Sequence, residues 1–225
     1  MIRLFARPLP LALLLGFCTF IPVMMAGLRV VQVPANLLPE DSLRLAVAPL
    51  SLFLHALAGM LFGLLGPLQF VRALARRFGA LHRLSGRAFV LAGMVMALSG
   101  LGLLLRVESI ATHWLDAARA IFGLALLATL ALGLRAAMDR RIEAHRAWMI
   151  RAYAVGMGGA TVGLVMLPIY LLTGAPVTGL AADLVFIGWW LVTIILAEWV
   201  IRRPAQHWRR HAATLLPAHP REPLT

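Results

Sequence analysis

Six apolar segments, each long enough to cross a bilayer as a helix, constrain this chain more than any other feature. A helix rises about 1.5 Å per residue, so about 20 apolar residues span the hydrocarbon core. Of the 225 residues, 61% are hydrophobic and 13% are charged, whereas about 25% are charged in soluble domains. We predict an all-α integral membrane protein, a six-transmembrane-helix bundle. Its spans are about 9–28, 46–71, 84–105, 115–135, 147–172 and 181–201.

The loops between these segments are too short to bury the core of a soluble domain. We therefore predict one transmembrane bundle over residues 1–203, followed by a basic, proline-containing mobile tail over residues 204–225. The first segment follows two arginines, as a signal peptide does. However, its apolar run is longer than the usual core of about 7–15 residues, and no clear A-x-A cleavage site follows. We expect it to be retained as a helix.

The basic residues indicate orientation rather than nucleic-acid binding. All 21 are arginines, and the formal net charge is +12; they lie in short loops between apolar segments, so we expect no nucleic-acid partner. Seventeen fall on one set of segments and four on the other, which by the positive-inside rule predicts cytoplasmic termini. The larger set is Arg3, Arg7, Arg72, Arg76, Arg77, Arg83, Arg87, Arg135, Arg140, Arg141, Arg146, Arg151, Arg202, Arg203, Arg209, Arg210 and Arg221.

Few kinds of chemistry remain open to this chain. Its one cysteine, Cys18, lies in the first apolar segment, which excludes a disulfide framework, a cysteine-ligated cluster and a zinc finger. The sequence contains no HExxH zinc motif and no P-loop. No Ser/His/Asp arrangement can be defended either. The sequence therefore leaves open whether the protein is an enzyme.

Two related phrases stand at the cytoplasmic ends of the third and fifth segments. They are His82-Arg83-Leu84-Ser85-Gly86-Arg87 and His145-Arg146-Ala147-Trp148-Met149-Ile150-Arg151. Histidines from two helices at one depth can hold the iron of a haem b, so His82 and His145 are the candidate axial ligands. The four arginines Arg83, Arg87, Arg146 and Arg151 could then bind its propionates through charge-assisted hydrogen bonds. Such a protein would carry electrons, with a quinone as a candidate partner.

His55 is the deepest histidine, roughly 25 Å along its helix from Arg72, and is a candidate ligand for a second site. Each of these three histidines heads a stripe of small residues on its helix. Such stripes either let helices approach closely or leave room for a flat macrocycle. In the last segment, Glu198 could pair with Arg202 or with an arginine of the two phrases, or it could handle protons.

A second class of function uses the same residues without any cofactor. Histidines and arginines at the cytoplasmic face would form a basic pocket, and such pockets bind anionic lipid head groups or a small anion. In the plainest interpretation, the arginines only set the topology of a membrane scaffold. The sequence does not decide between these alternatives.

The same phrases resemble a known family. The chain resembles the domain of unknown function 2306 family of predicted bacterial membrane proteins. The motifs that carry the resemblance are His55-x-x-x-Gly59, Gly66-Pro67-Leu68-Gln69-Phe70, His82-Arg83-x-x-Gly86-Arg87, His145-Arg146-x-Trp148-Met149-Ile150-Arg151 and Ala197-Glu198-Trp199. The resemblance covers about residues 50–203. It implies a multi-pass protein of the bacterial cytoplasmic (inner) membrane and supplies no established activity. In outline, the histidine-bearing helices are also similar to those of small b-type cytochromes.

Overall fold

The described part of this computed structural model is helical and contains no strand. It covers residues 8–108 and 112–215, without the side chains of residues 8–11, 41, 72–74 and 203–215. The elements are α1 (Pro8–Gln32), a 3-10 helix (Glu40–Val47), α2 (Pro49–Gln69), α3 (Arg72–Arg77), α4 (Gly79–Arg106), α5 (His113–Met138), α6 (Ile142–Thr161), α7 (Gly163–Thr173) and α8 (Gly179–Leu215).

Six helical stretches in the described residues are long and apolar enough to cross a membrane. They are Ala12–Gln32, Pro49–Gln69, Gly79–Arg106, His113–Met138, Ile142–Thr173 and Gly179–Arg202. The six-span prediction is therefore confirmed in number and approximate position. The cytoplasmic placement of the termini stays a prediction, because no bilayer defines the two sides.

The fifth span consists of two helices rather than one. α6 ends at Thr161 and α7 begins at Gly163, with Val162 between them. The Val162 carbonyl accepts bonds from the amides of Val165 and Met166, which tightens the first turn of α7. α7 ends at Thr173 and is followed by Gly174, whose φ of 69° is the left-handed conformation that glycine adopts at helix ends.

The last helix continues past the predicted boundary between bundle and tail. α8 spans Gly179–Leu215, so residues 204–215 of the predicted tail extend the sixth span as helix. Residues 216–225, together with the first seven residues of the chain, lie outside the described part. The mobility of the tail stays a prediction.

The core of the bundle is an aromatic cluster shared by α2, α4 and α6. The rings of Phe62 and Phe89 stack with their centroids 4.3 Å apart, and Tyr153 lies 5.8 Å from Phe62. Leu130 of α5 belongs to the same core and, like Phe62, is fully buried. Phe70, at the end of α2, meets Tyr153 edge-on at 5.6 Å. The cluster therefore reaches toward the helix ends that carry the His-Arg phrases.

Candidate functional site

His82 and His145 occupy the same position in their two helices. Each is the fourth residue, because α4 begins at Gly79 and α6 at Ile142. Their amides make the matching helical bonds, from His82 to the Phe78 carbonyl at 3.0 Å and from His145 to the Arg141 carbonyl at 2.9 Å. The predicted spans began later, at about residues 84 and 147. The correction places both histidines inside the first turn of a helix rather than in the loops.

The orientation of His145 is fixed by a main-chain bond to the neighbouring helix. Its Nδ1 lies 2.8 Å from the carbonyl oxygen of Gly133 on α5. A carbonyl only accepts, so the imidazole must donate from Nδ1. When the ring is neutral, Nε2 then carries the lone pair. Metal-ligating histidines use this arrangement, in which a hydrogen bond on one nitrogen sets the tautomer of the other.

His82 contributes a polar atom that the protein does not satisfy. Its Nδ1 is buried and has no hydrogen-bond partner among the described residues. A buried group without a partner costs about 1–3 kcal/mol, which a bound ligand would offset. His82 and His145 lie within electrostatic range of each other. The two histidines that the sequence pairs thus share a helix position and interact electrostatically.

The backbone beneath His82 is held by a polar contact between α2 and α4. Gln69 donates from Nε2 to the Ser85 hydroxyl at 2.9 Å, and that hydroxyl donates back to the Leu81 carbonyl at 2.8 Å. The Gln69 amide oxygen also lies 3.2 Å from the Cβ position of Gly86, so a side chain there would press on it. Sequence reasoning missed this contact, although Gln69 and Gly86 both belong to the motifs that carry the family resemblance.

The arginines near the histidines differ in exposure and in the interactions that they already make within the protein. Arg83 and Arg87 are exposed, while Arg146 is half-buried and already has an interaction within the protein. The Arg83 guanidinium folds back along its own helix, with Nη1 3.4 Å from the Cβ position of Gly79. Arg83 and Arg87 therefore remain accessible to an anionic group, whereas Arg146 is partly committed.

Arg151 is held by Glu198 across the interface between α6 and α8. Its Nε donates to Oε1 at 2.5 Å and its Nη2 donates to Oε2 at 3.0 Å, the bidentate geometry that arginine favours. The guanidinium also lies 4.7 Å from the centre of the Trp148 ring. Arg202, the local partner considered for Glu198, lies farther away at 3.9 Å. Arg151 thus joins α6 to α8, and its guanidinium is less available to bind a propionate.

His55 has a partner that serves packing. Its Nδ1 donates to the Met96 carbonyl of α4 at 2.9 Å, and its ring rests on Gly100, whose Cβ position lies 3.1 Å from Cε1. The Met96 sulfur packs against Gly59, 3.5 Å from its Cβ position. The contacts of His55 thus join α2 to α4, and its proposed role in a second site has no supporting contact among the described residues.

The glycines of the stripes that lie at the depth of Phe62 are filled by protein side chains, whereas Gly163, at the far end of the His145 stripe, has no atom within 4 Å of its Cβ position. A Cβ on Gly93 would lie 2.7 Å from Leu130 Cδ1 and 2.8 Å from Phe62 Cε2, and a Cβ on Gly156 would lie 2.6 Å from Phe62 Cε1. At this depth the stripes allow close helix packing, which leaves no room for a macrocycle. Any haem site must therefore lie below the aromatic cluster, at the level of His82 and His145.

No group of three or more His, Cys, Asp or Glu side chains in residues 8–108 and 112–215 could hold a metal ion. This finding does not test haem binding, because a macrocycle supplies most of the iron ligands itself and needs only two from the protein. The candidate site is thus a two-histidine arrangement with exposed arginines beside it.

Comparison with known proteins gives the family and nothing on activity. The family model described as "Predicted membrane protein (DUF2306)" matches residues 52–201, close to the region of about 50–203 expected from the motifs. No curated protein and no solved structure matches the chain. The matched region contains His55, both His-Arg phrases and Glu198, so the candidate site lies within the family domain. The chain belongs to the DUF2306 family of predicted membrane proteins.

Proposed function

We propose that this membrane protein binds one haem b between the cytoplasmic ends of α4 and α6, with His82 and His145 as axial ligands, and that it transfers electrons. The observation that carries the proposal is the hydrogen bonding of the ring nitrogens in two histidines at matching helix positions. The Nδ1–H bond of His145 to Gly133 leaves the Nε2 lone pair free to bind a metal, and the buried Nδ1 of His82 has no hydrogen-bond partner among the described residues.

The surroundings of the pair support the same proposal. The backbones of α4 and α6 do not approach each other closely, and the two helices meet through the rings of Phe89 and Tyr153, so a haem would bind below these rings, at the helix ends. Arg83 and Arg87 are exposed and could bind the propionates. When bound, the haem would supply a reversible one-electron couple, and two histidine ligands would leave no position for dioxygen.

The decisive experiment is a dithionite-reduced minus oxidised absorption spectrum of protein purified in detergent after expression with a haem precursor. We expect sharp Soret and α bands at about one haem per chain. His82→Ala and His145→Ala should each abolish the bands. The matched control is His113→Ala, because His113 is exposed at the start of α5, where its ring lies 5.1 Å from that of Trp114.

Folding must be checked in the same samples, since His145 also joins two helices. Elution as a single symmetric peak in size-exclusion chromatography would show that a colourless variant is folded. A flat spectrum from folded wild-type protein would refute the haem proposal.

The alternative, a cofactor-free pocket for an anionic lipid or a small anion, rests on the exposure of Arg83 and Arg87. It predicts no colour and the loss of co-purified anionic phospholipid in Arg87→Ala. Native mass spectrometry of the same protein preparation would detect that loss. Retention of phospholipid in Arg87→Ala, measured beside a coloured wild type, would count against the alternative.

A further inference from the structure

The helix that carries His82 begins with few of the features that stabilise a helix end. The N-cap residue of α4, Phe78, makes no side-chain capping bond, and the first turn contains no acidic residue. The first N–H groups of a helix have no partner within the helix. Arg83 adds a positive charge near the positive end of the helix dipole, where it is unfavourable. We therefore expect the first turn of α4 to depend on contacts with another helix.

The matching turn of α6 is better held, although α6 also lacks a side-chain cap. Glu143 lies in its first turn, where a negative charge is favourable. The His145 ring is bonded through Nδ1 to the Gly133 carbonyl at 2.8 Å, whereas the buried Nδ1 of His82 has no partner among the described residues. The position of His82 therefore depends more on its backbone than that of His145 does.

The backbone around His82 is held by the Ser85 hydroxyl. Its oxygen lies 2.8 Å from the Leu81 carbonyl oxygen and 3.3 Å from the His82 carbonyl oxygen, so its proton is shared between two carbonyls of one turn. Gln69 donates to the Ser85 oxygen from Nε2 at 2.9 Å, which directs the hydroxyl proton toward those carbonyls. Gln69 and Ser85 are half-buried, so water competes less for these bonds than it does at an open surface.

The end of α2 that carries Gln69 is in contact with the helix that carries His145. Gln69 is the last residue of α2, and the next residue, Phe70, meets the Tyr153 ring of α6 edge-on at 5.6 Å. The backbones of α4 and α6 do not approach each other closely. The end of α2 therefore connects the turn that carries His82 to the helix that carries His145.

We propose that Gln69, acting through Ser85, is a positioning residue for His82. Its amide keeps the first turn of α4 closed and holds His82 at a fixed place relative to His145. The consequence for ligand binding rests on the proposed function, because a haem held by two histidines needs both of them at once. The inference goes beyond that function by assigning a role to a residue on a third helix.

The first measurement is hydrogen–deuterium exchange of the haem-free protein in detergent, followed by mass spectrometry. Gln69→Met keeps the length of the side chain and removes its amide. It should speed exchange in peptides covering residues 82–86 about two- to tenfold, which corresponds to the loss of one neutral hydrogen bond. Exchange in residues 145–150 should not change, because the His145 turn has its own bond to Gly133.

The second measurement uses the haem-loaded protein, with apomyoglobin as the haem acceptor. Opening of the His82 turn would release one axial ligand, so Gln69→Met should speed haem transfer by the same factor by which it speeds exchange. Ser85→Ala should act alike, and the double variant should be little worse than either single variant, because both changes remove the same contact. Ser85→Thr keeps the hydroxyl and should retain the wild-type rates.

Gln32→Met is the matched control. It makes the same change at the end of α1, where Gln32 accepts a bond from Arg29 at 3.1 Å, and it should change neither rate. If Gln69→Met instead speeds exchange equally in all the helices, the loss of stability is general and the positioning role is overturned.

The positioning role and the haem proposal fail in different ways. If the wild type is coloured and Gln69→Met changes neither exchange nor haem transfer, the positioning role is wrong and the haem proposal stands. Faster exchange without faster haem transfer would also overturn the positioning role, since the bond would then only stabilise the helix end. Colourless wild-type protein in which Gln69→Met still speeds exchange at residues 82–86 would refute the haem proposal and leave Gln69 as the residue that positions His82.

Discussion

Gly93 is a position at which a single added methyl group should destabilise the bundle. It lies on α4. An added Cβ would lie 2.7 Å from Leu130 Cδ1 of α5 and 2.8 Å from Phe62 Cε2 of α2. Both neighbours are fully buried. Phe62 cannot move away freely, because its ring stacks on Phe89 with the centroids 4.3 Å apart. We therefore predict that Gly93→Ala destabilises the bundle.

The magnitude follows from two opposing effects. Overpacking a well-filled core costs about 1–3 kcal/mol, whereas replacing glycine by alanine inside a helix gains up to about 1 kcal/mol. Gly188→Ala supplies the second effect without the first, because its Cβ position has no atom within 4 Å. The free energies of unfolding of the two variants should therefore differ by about 1–3 kcal/mol.

Unfolding by titration with SDS in mixed micelles, followed by tryptophan fluorescence, measures these free energies. Leu130→Ala provides a rescue test, since it removes the atom that the new methyl group would approach most closely. It should cost less stability in the Gly93→Ala protein than in the wild type. If Gly93→Ala is as stable as Gly188→Ala, the packing argument is wrong.

Three further predictions use the same protein. Glu198→Gln should lower the free energy of unfolding by about 1–2 kcal/mol in the SDS titration, because it leaves Arg151 without its charged partner at a partly buried interface; an unchanged value would show that the pair adds nothing to helix association. His55→Leu should cost about 1 kcal/mol through the lost bond to the Met96 carbonyl without changing the haem spectrum, and bleaching would instead assign His55 to the cofactor. A C-terminal green fluorescent protein fusion should fluoresce and an alkaline phosphatase inserted between α4 and α5 should be active, whereas the reverse pattern would overturn the orientation derived from the arginines.

The fold was predictable because bilayer thickness translates directly into segment length. Six apolar segments therefore predicted the six membrane-length helical stretches without any knowledge of tertiary contacts. The break at Val162 was not predictable in the same way, since the apolar composition of the fifth span is continuous across it. The start of α4 at Gly79 was also missed. Its first residues include His82 and Arg83, and their low hydropathy is typical of a loop at the membrane edge.

The candidate site was partly predictable. Features set by local sequence could be read from the chain, whereas contacts between residues far apart in the sequence could not. The equal depth of His82 and His145 follows from their similar positions relative to the apolar segments. The partner of Glu198 does not, because Arg151 is 47 residues away and local spacing offers Arg202 first. The stripes of small residues likewise left two interpretations open. Only the position of the Phe62 ring on another helix decides between them at the depth of Gly93.

The orientation of two membrane histidines depends on main-chain oxygens, at Met96 and Gly133. Every amino acid carries this acceptor, so no substitution at either position can delete it. In evolutionary terms, the ring orientation is then inherited with the helix packing rather than with a particular side chain. We expect related sequences to vary freely in chemistry at residue 96, within the limits of size. At residue 133 they should stay small, because the Met149 side chain fills the space there.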